Sequence, residues 1–247
     1  MTNLELIFPE IFLSLSIMFL LILGVFKKNS AKLIQNISLI SLLITAVITF
    51  NETLGIEEKL LFNNSVIIDY MSSFMKIVTL LSAFLVLIIS SNYLRIFKIF
   101  KIEYPILILS SVLGMMIMIS SNDLIVFYMG LELQSLALYV LATFNRDQLK
   151  SSEAGLKYFV LSALSSGLLL YGCSLIYGFT GSTNFNLIAD QLNSDQYALT
   201  FGIVFILVGL SFKISAVPFH MWAPDVYEGS PTSVTLFFTM VPKIAAL

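Results

Sequence analysis

Four ionisable residues lie inside stretches of the sequence that are otherwise long and apolar. They are Lys76, Lys213, Lys243 and Glu132. Placing a charged side chain near the centre of a lipid bilayer costs at least about 2.5–3.5 kcal/mol on insertion scales. Because a residue that costs this much needs a compensating role, each of the four is a candidate for ion or proton handling.

Glu132 and Lys213 could together hold and release a proton. Glu132 lies in the middle of one apolar run, and Lys213 lies late in another. Burial disfavours the charged form of a side chain, so a buried lysine can release a proton near neutral pH, whereas a neighbouring carboxylate opposes that release. Changing the distance between two such groups is therefore enough for a switch. The alternatives are a structural carboxyl group between helices and a lysine that snorkels to the membrane surface.

A proline five residues after Lys213 predicts a break in that helix. Pro218 lacks a backbone N–H, and inside a helix its ring would clash with the carbonyl of Ile214. Broken helices at membrane depth are tolerated where they are buried in protein or line a wet cavity. His220, the single histidine, follows the proline. An ordinary imidazole pKa of about 6.5 suits a proton relay, and the alternative is a packed or hydrogen-bonded side chain.

The two remaining lysines carry weaker signals. Lys243 follows Pro242 in the last apolar segment and would be central only if its helix continued past Leu247. Lys76 is five residues into an apolar segment, so we expect it to snorkel towards the surface. The single cysteine, Cys173, lies in an apolar run, which predicts a small buried side chain and no disulfide or metal framework.

Composition predicts an all-α integral membrane protein. Of the 247 residues, 58% are hydrophobic and 11% are charged, compared with about 45–50% and about 25% in soluble domains. The apolar runs are continuous, which favours helices over a barrel. The net charge of -2 argues against nucleic-acid binding. The predicted spanning segments, about eight in number, cover residues 6–26, 33–50, 71–93, 104–120, 124–143, 158–179, 199–218 and 232–247.

The positions of basic residues predict the orientation of these helices. The first, third and fifth loops contain Lys27, Lys28, Lys32, Arg95, Lys98, Lys101, Arg146, Lys150 and Lys157. The positive-inside rule therefore places these loops in the cytoplasm and the N-terminus outside. The polar stretch 183–197 is expected to lie at the membrane interface. The last segment is too short to span comfortably, so we expect a fragment of a longer protein.

Residues 213–232 read KISAVPFHMWAPDVYEGSPT. This stretch closely resembles the signature of the antiporter-like subunits of proton-pumping NADH–quinone oxidoreductase, respiratory complex I. Its residues look like those of the subunit N (mitochondrial subunit 2) members of that family rather than those of subunits L or M. The sequences around Glu132 (GLELQS) and Lys243 (PKIA) match the same members.

The resemblance implies a fold as well as a family. Family members have fourteen helices with two inverted repeats of five, each repeat containing a broken helix. The chain then consists of three N-terminal helices, residues 1–103, followed by the first antiporter-like repeat, residues 104–247. That repeat is incomplete in its last helix, and the second repeat is not included.

The resemblance also implies a function and partners. In the family, the glutamate of the fifth helix pairs with the lysine of the broken seventh helix, and a lysine of the eighth passes protons onward. By position these are Glu132, Lys213 and Lys243, and His220 matches a histidine on the connecting path. The subunit holds no cofactor or metal. Flavin, iron–sulfur clusters, NADH and quinone belong to partner subunits, whose redox energy drives proton translocation. The partners are other membrane subunits and the lipid bilayer, in a bacterial inner membrane rather than a mitochondrial one.

Two other functions fit the sequence. A subunit of a multisubunit Na⁺/H⁺ antiporter shares the Pro-Phe-His-x-Trp-x-Pro-Asp core, although the Val-Tyr-Glu-Gly continuation favours complex I. A structural membrane anchor would carry no ion traffic. Protons are favoured over sodium because the intramembrane set is rich in lysine, which cannot coordinate a cation while it is protonated.

Overall fold

The computed structural model describes residues 5–27, 30–53, 58–191 and 197–246. Helices dominate these residues, with one short antiparallel hairpin between the second and third long helices. A 3-10 turn (Glu5–Ile7) precedes α1 (Phe8–Phe26), α2 (Ala31–Thr53), β1 (Lys59–Leu61), β2 (Val66–Ile68), α3 (Tyr70–Ile96), α4 (Glu103–Ile119), α5 (Leu124–Ala142), α6 (Leu149–Thr180), α7 (Phe185–Gln191), α8 (Tyr197–Lys213), α9 (Ala223–Gly229) and α10 (Thr232–Ala246).

The apolar helices correspond to the segments predicted from the sequence, except that α6 begins at Leu149 and not at residue 158, so Lys150 and Lys157 lie in the helix and not in the loop before it. Five of them, α1, α2, α3, α5 and α6, are long and apolar enough to cross a membrane, and α4, α8 and α10 are shorter apolar helices. The prediction of an all-α, multi-pass membrane protein with about eight apolar helices is therefore confirmed. Lys28 and Leu247 lie outside the described residues, as does part of the polar stretch 183–197, in which α7 lies.

Large apolar side chains occur on both the inside and the outside of the bundle. Leu13 and Leu20 of α1 are fully buried, whereas Leu15, Phe19 and Phe26 of the same helix are more than half exposed. In a soluble protein so much exposed apolar surface would be costly. In a bilayer it faces lipid, and each helix satisfies its own backbone hydrogen bonds.

Two helix pairs pack closely through glycine. A Cβ atom at Gly114 of α4 would lie 2.5 Å from the backbone nitrogen of Gln134 in α5. A Cβ atom at Gly172 of α6 would lie 2.7 Å from the carbonyl oxygen of Gly202 in α8. Small residues let membrane helices approach each other backbone to backbone. The α4–α5 and α6–α8 contacts therefore fix the positions of the two helices that carry Glu132 and Lys213.

The helix break begins before the proline, not at it. Helix α8 ends at Lys213, and Ser215 takes a left-handed conformation with φ of 57°. The last carbonyl groups of α8 accept hydrogen bonds from beyond the helix: Ala216 N–H donates to the carbonyl of Ser211 at 2.8 Å, and Ser215 N–H and Trp222 Nε1 donate to that of Phe212 at 3.1 and 2.9 Å. The predicted helix to residue 218 is therefore too long. Pro218 lies in the turn, so the expected clash with the carbonyl of Ile214 does not arise.

Candidate proton-handling site

Lys213, the last residue of α8, points into a cage of hydroxyl groups. Its Nζ atom donates to Ser135 Oγ at 3.0 Å, Tyr139 Oη at 3.3 Å and Ser162 Oγ at 2.8 Å. The side chain is 10% exposed. Since an ammonium group has three N–H donors, the three hydroxyl groups can occupy all of them.

Glu132 lies beside this cage and makes no hydrogen bond to Lys213. Its Oε1 atom lies 3.8 Å from Lys213 Nζ, and the side chain is 22% exposed. The same oxygen is buried and has no hydrogen-bond partner among the described residues. The two charges therefore attract each other across a gap that is longer than a hydrogen bond. The structure brings together the two residues that the sequence predicted as a pair.

One face of α5 supplies most of the site. Glu132, Ser135 and Tyr139 are spaced by three and four residues, which places them on the same side of a helix. Ser162 comes from the neighbouring α6, and Tyr139 Oη also donates to Ser162 Oγ at 2.7 Å. Sequence reasoning did not identify Tyr139 or Ser162. The helical spacing from Glu132 was a signal for Tyr139, whereas nothing local marked Ser162.

A series of aromatic rings connects the surroundings of Lys213 with those of Lys243. Lys213 Nζ lies 5.8 Å from the Tyr139 ring centre, and Lys243 Nζ lies 5.7 Å from the Tyr227 ring centre. Between the two ends, neighbouring ring centres are 5.0, 4.6 and 5.9 Å apart, in the order Tyr139, Tyr158, Trp222 and Tyr227. The rings come from α5, α6, the turn after α8, and α9, so they hold the broken helix against the bundle.

Lys243 lies near the end of α10 and is partly buried. Pro242 precedes it inside the helix. The nearby hydroxyl group of Tyr227 is buried and has no hydrogen-bond partner among the described residues. The ammonium group of Lys243 thus lies over the face of this ring, and the hydroxyl group at the edge of the ring is left to bond an ordered water molecule.

His220 is not part of the Lys213 cage. Its side chain is exposed in the turn between α8 and α9 and makes no hydrogen bond or ion pair within the described residues. Its backbone carbonyl accepts from Ala223 N–H at 3.0 Å. A relay role for His220 thus stays a prediction, without a contact that supports it.

Charged residues on α9 attach this turn to α6. Asp225 Oδ2 lies 2.7 Å from Lys157 Nζ, and Glu228 Oε1 lies 3.4 Å from Lys150 Nζ. These pairs are exposed, so each contributes little to stability. They orient the turn that follows Lys213.

The expectation that Lys76 snorkels to the surface is wrong. Lys76 Nζ forms an ion pair with Glu10 Oε1 at 2.6 Å, and the two side chains are 5% and 9% exposed. The sequence reasoning missed Glu10 as a partner because it lies 66 residues away, although an acidic residue in an apolar run was a signal.

The fold and the site define a class of protein: a multi-pass helical membrane protein in which a buried lysine ends a broken helix beside a glutamate. The family model described as NADH:quinone oxidoreductase/Mrp antiporter, TM, matches residues 121–247. The chain belongs to this family. The matched region contains Glu132, Lys213, His220 and Lys243.

Curated relatives agree with this membership. A protein of Pelagibacter ubique named NADH-quinone oxidoreductase subunit N is 73% identical over 247 residues, covering 100% of this chain and 52% of the relative. A Maricaulis maris protein of the same name is 52% identical, covering 99% of this chain and 51% of the relative. The chain thus spans about half the length of the curated relatives it matches.

Solved structures share the fold. A chain of respiratory complex I from Thermus thermophilus with bound aureothin superimposes with a TM-score of 0.83 and 29% identity, covering 96% of this chain and 51% of that chain. A chain of the Mrp complex from Dietzia gives a TM-score of 0.76 at 24% identity, covering 99% of this chain and 47% of that chain. At such low identity, the Mrp likeness is one of fold alone.

Proposed function

We propose that this chain is part of a membrane subunit of a proton-translocating NADH–quinone oxidoreductase in a bacterial inner membrane. Residues 104–247 form its proton-handling repeat, and residues 1–103 flank that repeat. The observation that carries the proposal is the hydroxyl cage of Lys213 beside Glu132 at the end of a broken helix. The names of the two bacterial relatives described above support it.

The chemistry of the cage suits a lysine that changes its protonation state. A hydroxyl group can accept a hydrogen bond from an ammonium group and can donate one to a neutral amine. Ser135, Tyr139 and Ser162 can therefore satisfy Lys213 both before and after it loses a proton. A cage of carboxylates would instead fix the charge on the lysine.

Glu132 controls when the proton is released. The attraction between two opposite charges falls with distance and rises as water is excluded. At 3.8 Å, Glu132 favours the charged lysine. A movement of α5 relative to α8 that lengthens this distance favours release of the proton. Lys243 accepts it, through water at the buried hydroxyl group of Tyr227.

The redox chemistry takes place in partner subunits. We propose that NADH, flavin, iron–sulfur clusters and quinone bind there and that this subunit receives their energy as a conformational or electrostatic change. Other membrane subunits of the complex are its partners within the bilayer. Its own contribution is the proton path through Glu132, Lys213 and Lys243.

The test is Lys213→Ala in the full-length protein within its complex. We expect the complex to assemble and proton translocation to be lost, because the cage then holds no group that changes charge. The measurement is acidification of inverted membrane vesicles on addition of NADH, with assembly checked by native electrophoresis. The matched control is Lys101→Ala, which removes an exposed lysine between α3 and α4 and should leave translocation unchanged.

The outcomes separate the competing functions. An assembled Lys213→Ala complex that still pumps fully would overturn the proposal. If neutral replacements of both Glu132 and Lys213 are silent in every transport assay, the chain is a membrane anchor. A subunit of a sodium/proton antiporter would instead carry out sodium-dependent proton exchange without NADH.

A further inference from the structure

The three N-terminal helices contain a second buried charge cluster, separate from the Lys213 cage. Lys76 of α3 pairs with Glu10 of α1 at 2.6 Å. Glu52, near the end of α2, is partly buried and interacts electrostatically with both Glu10 and Lys76. With all three groups ionised, the cluster would carry two negative charges and one positive charge.

Packing alone does not account for this cluster. A buried ion pair is often replaceable by apolar residues without loss of stability, and in a membrane the cost of the charges is greater still. The second carboxyl oxygen of Glu10, Oε2, is also buried without a hydrogen-bond partner among the described residues. An unpaired carboxylate oxygen at a nine-tenths buried side chain calls for a proton or a water molecule.

An open cavity beside Glu10 has room for water. Glu10 lines this cavity of about 240 Å³, whose wall is mostly apolar and whose polar side chains are those of Glu10, Ser14 and Ser120. One water molecule needs roughly 10–15 Å³ of such space and two to four polar partners. The hydroxyl groups of Ser14 and Ser120 each donate to their own helix and keep lone pairs free for water. The cavity adjoins β2, at the end of the bundle that the sequence places outside.

We propose that Glu10, Glu52 and Lys76 form a proton-binding site that exchanges one proton with water in this cavity. The ammonium group of Lys76 neutralises one carboxylate. The proton, taken from cavity water, forms an O–H bond on the other carboxylate, and on release it returns to water. Binding therefore makes the buried cluster neutral, without any change in the number of electrons.

The site lies in residues 1–103 and does not depend on the path through Lys213. A background of Glu132→Gln removes the carboxyl group of the proposed proton path from every measurement. The full-length protein, labelled with ¹³C at glutamate carboxyl carbons and held in lipid nanodiscs, is then examined by infrared difference spectroscopy over a pH titration. The readout is the number of protonated glutamate carboxyl groups.

Charge counting gives a distinct expectation for each variant. The background protein should show one protonated carboxyl group from the cluster, and Glu52→Gln should show none, because Glu10 and Lys76 then balance. Lys76→Met should show two, because two buried carboxylates without a counter-ion both take up protons. The double variant Glu10→Gln and Lys76→Met covers the case in which the single variants fail to fold, because it removes both members of the ion pair and leaves no unpaired lysine. It should show one protonated carboxyl group. The control Glu103→Gln, at an exposed position, should match the background.

A second readout tests the route. Transfer into D₂O should shift the carboxyl band rapidly in the background protein and more slowly in Ser14→Leu, whose side chain fills the cavity. Ser16→Leu, on the same helix but not in the cavity wall, is the matched control. Identical spectra for the background and Glu52→Gln would overturn the site, and equal exchange in the two serine variants would overturn the cavity as its route.

Discussion

At the scale of single residues, the partners of Lys213 are of two kinds. Three hydroxyl groups contact its Nζ atom directly, whereas the carboxylate of Glu132 is held farther away at 3.8 Å. Lys76 differs, since a carboxylate contacts its Nζ directly at 2.6 Å. A close carboxylate fixes the charge of a lysine, whereas hydroxyl groups accommodate both of its protonation states.

The hydroxyl group of Tyr139 provides the finest test of the cage. Tyr139→Phe keeps the ring and removes one acceptor from Lys213 and one donor to Ser162. A hydrogen bond to a charged group contributes about 1.5–3 kcal/mol, so we expect proton translocation to slow by about 10- to 150-fold. The measurement is the initial rate of vesicle acidification per assembled complex.

Tyr171→Phe is the control for this change. Tyr171 also lies on a membrane helix, α6, but is more than half exposed and packs against Phe205. Its hydroxyl group makes no contact with Lys213, so the rate should not change. Equal rates in the two variants would remove Tyr139 from the proton path.

At the scale of secondary structure elements, the sequence predicted the helices well and the turns poorly. Apolar runs of the right length identify spanning helices because the bilayer sets that length. The hairpin was missed because its strands have three residues each and depend on contacts with distant segments, such as Ile67 N–H with the carbonyl of Ser120. The end of α8 was predicted five residues too late. The helix ends where the side chain of Trp222 donates a hydrogen bond to the backbone carbonyl of Phe212, and the apolar pattern of the sequence does not show this contact.

The charged residues of the candidate site could be predicted from the sequence, but their hydrogen-bond partners could not. Glu132 and Lys213 were recognisable because each is an ionisable residue in an apolar run. The hydroxyl cage was not, because Ser and Thr occur on many faces of these helices and often bond to their own backbone. The packing of α6 on α8 selects Ser162, and that packing is a property of the folded bundle.

The α6–α8 contact can be tested through its glycines. Gly172→Leu places side-chain atoms where α8 now approaches, 2.7 Å from the carbonyl oxygen of Gly202. Overpacking of this kind costs about 1–3 kcal/mol, so we expect a lower midpoint of thermal unfolding in detergent and loss of proton translocation. Gly167→Leu, on the same helix with no atom within 4 Å of its added Cβ, should change neither. Equal melting of the two variants would mean that this close approach does not hold the helices together.

At the scale of the whole molecule, contacts between segments agree with the predicted grouping of the loops at two ends of the bundle, whereas the orientation of those ends stays a prediction. Asn122 and Asn184 both donate to the carbonyl oxygen of Asn64, at 2.9 and 2.8 Å. The hairpin, the start of α5 and the segment after α6 therefore lie at one end of the bundle. The ion pairs between α6 and α9 join the start of α6, the helix after α5, to the short helix that follows α8. Segments that are predicted to lie on the same side of the membrane therefore contact one another.

The orientation of the bundle in the membrane gives the last prediction. In a Cys173→Ala background, single cysteines are introduced at Glu58, next to the hairpin, and at Asp147, between α5 and α6, both of them exposed positions. A membrane-impermeant maleimide should label Glu58→Cys from the periplasmic side of spheroplasts and Asp147→Cys only in inverted vesicles, because the basic loops stay in the cytoplasm. Labelling of both from one side would mean that the chain crosses the membrane an even number of times between them. The hairpin end, and with it the cavity beside Glu10, would then no longer be assigned to the outside.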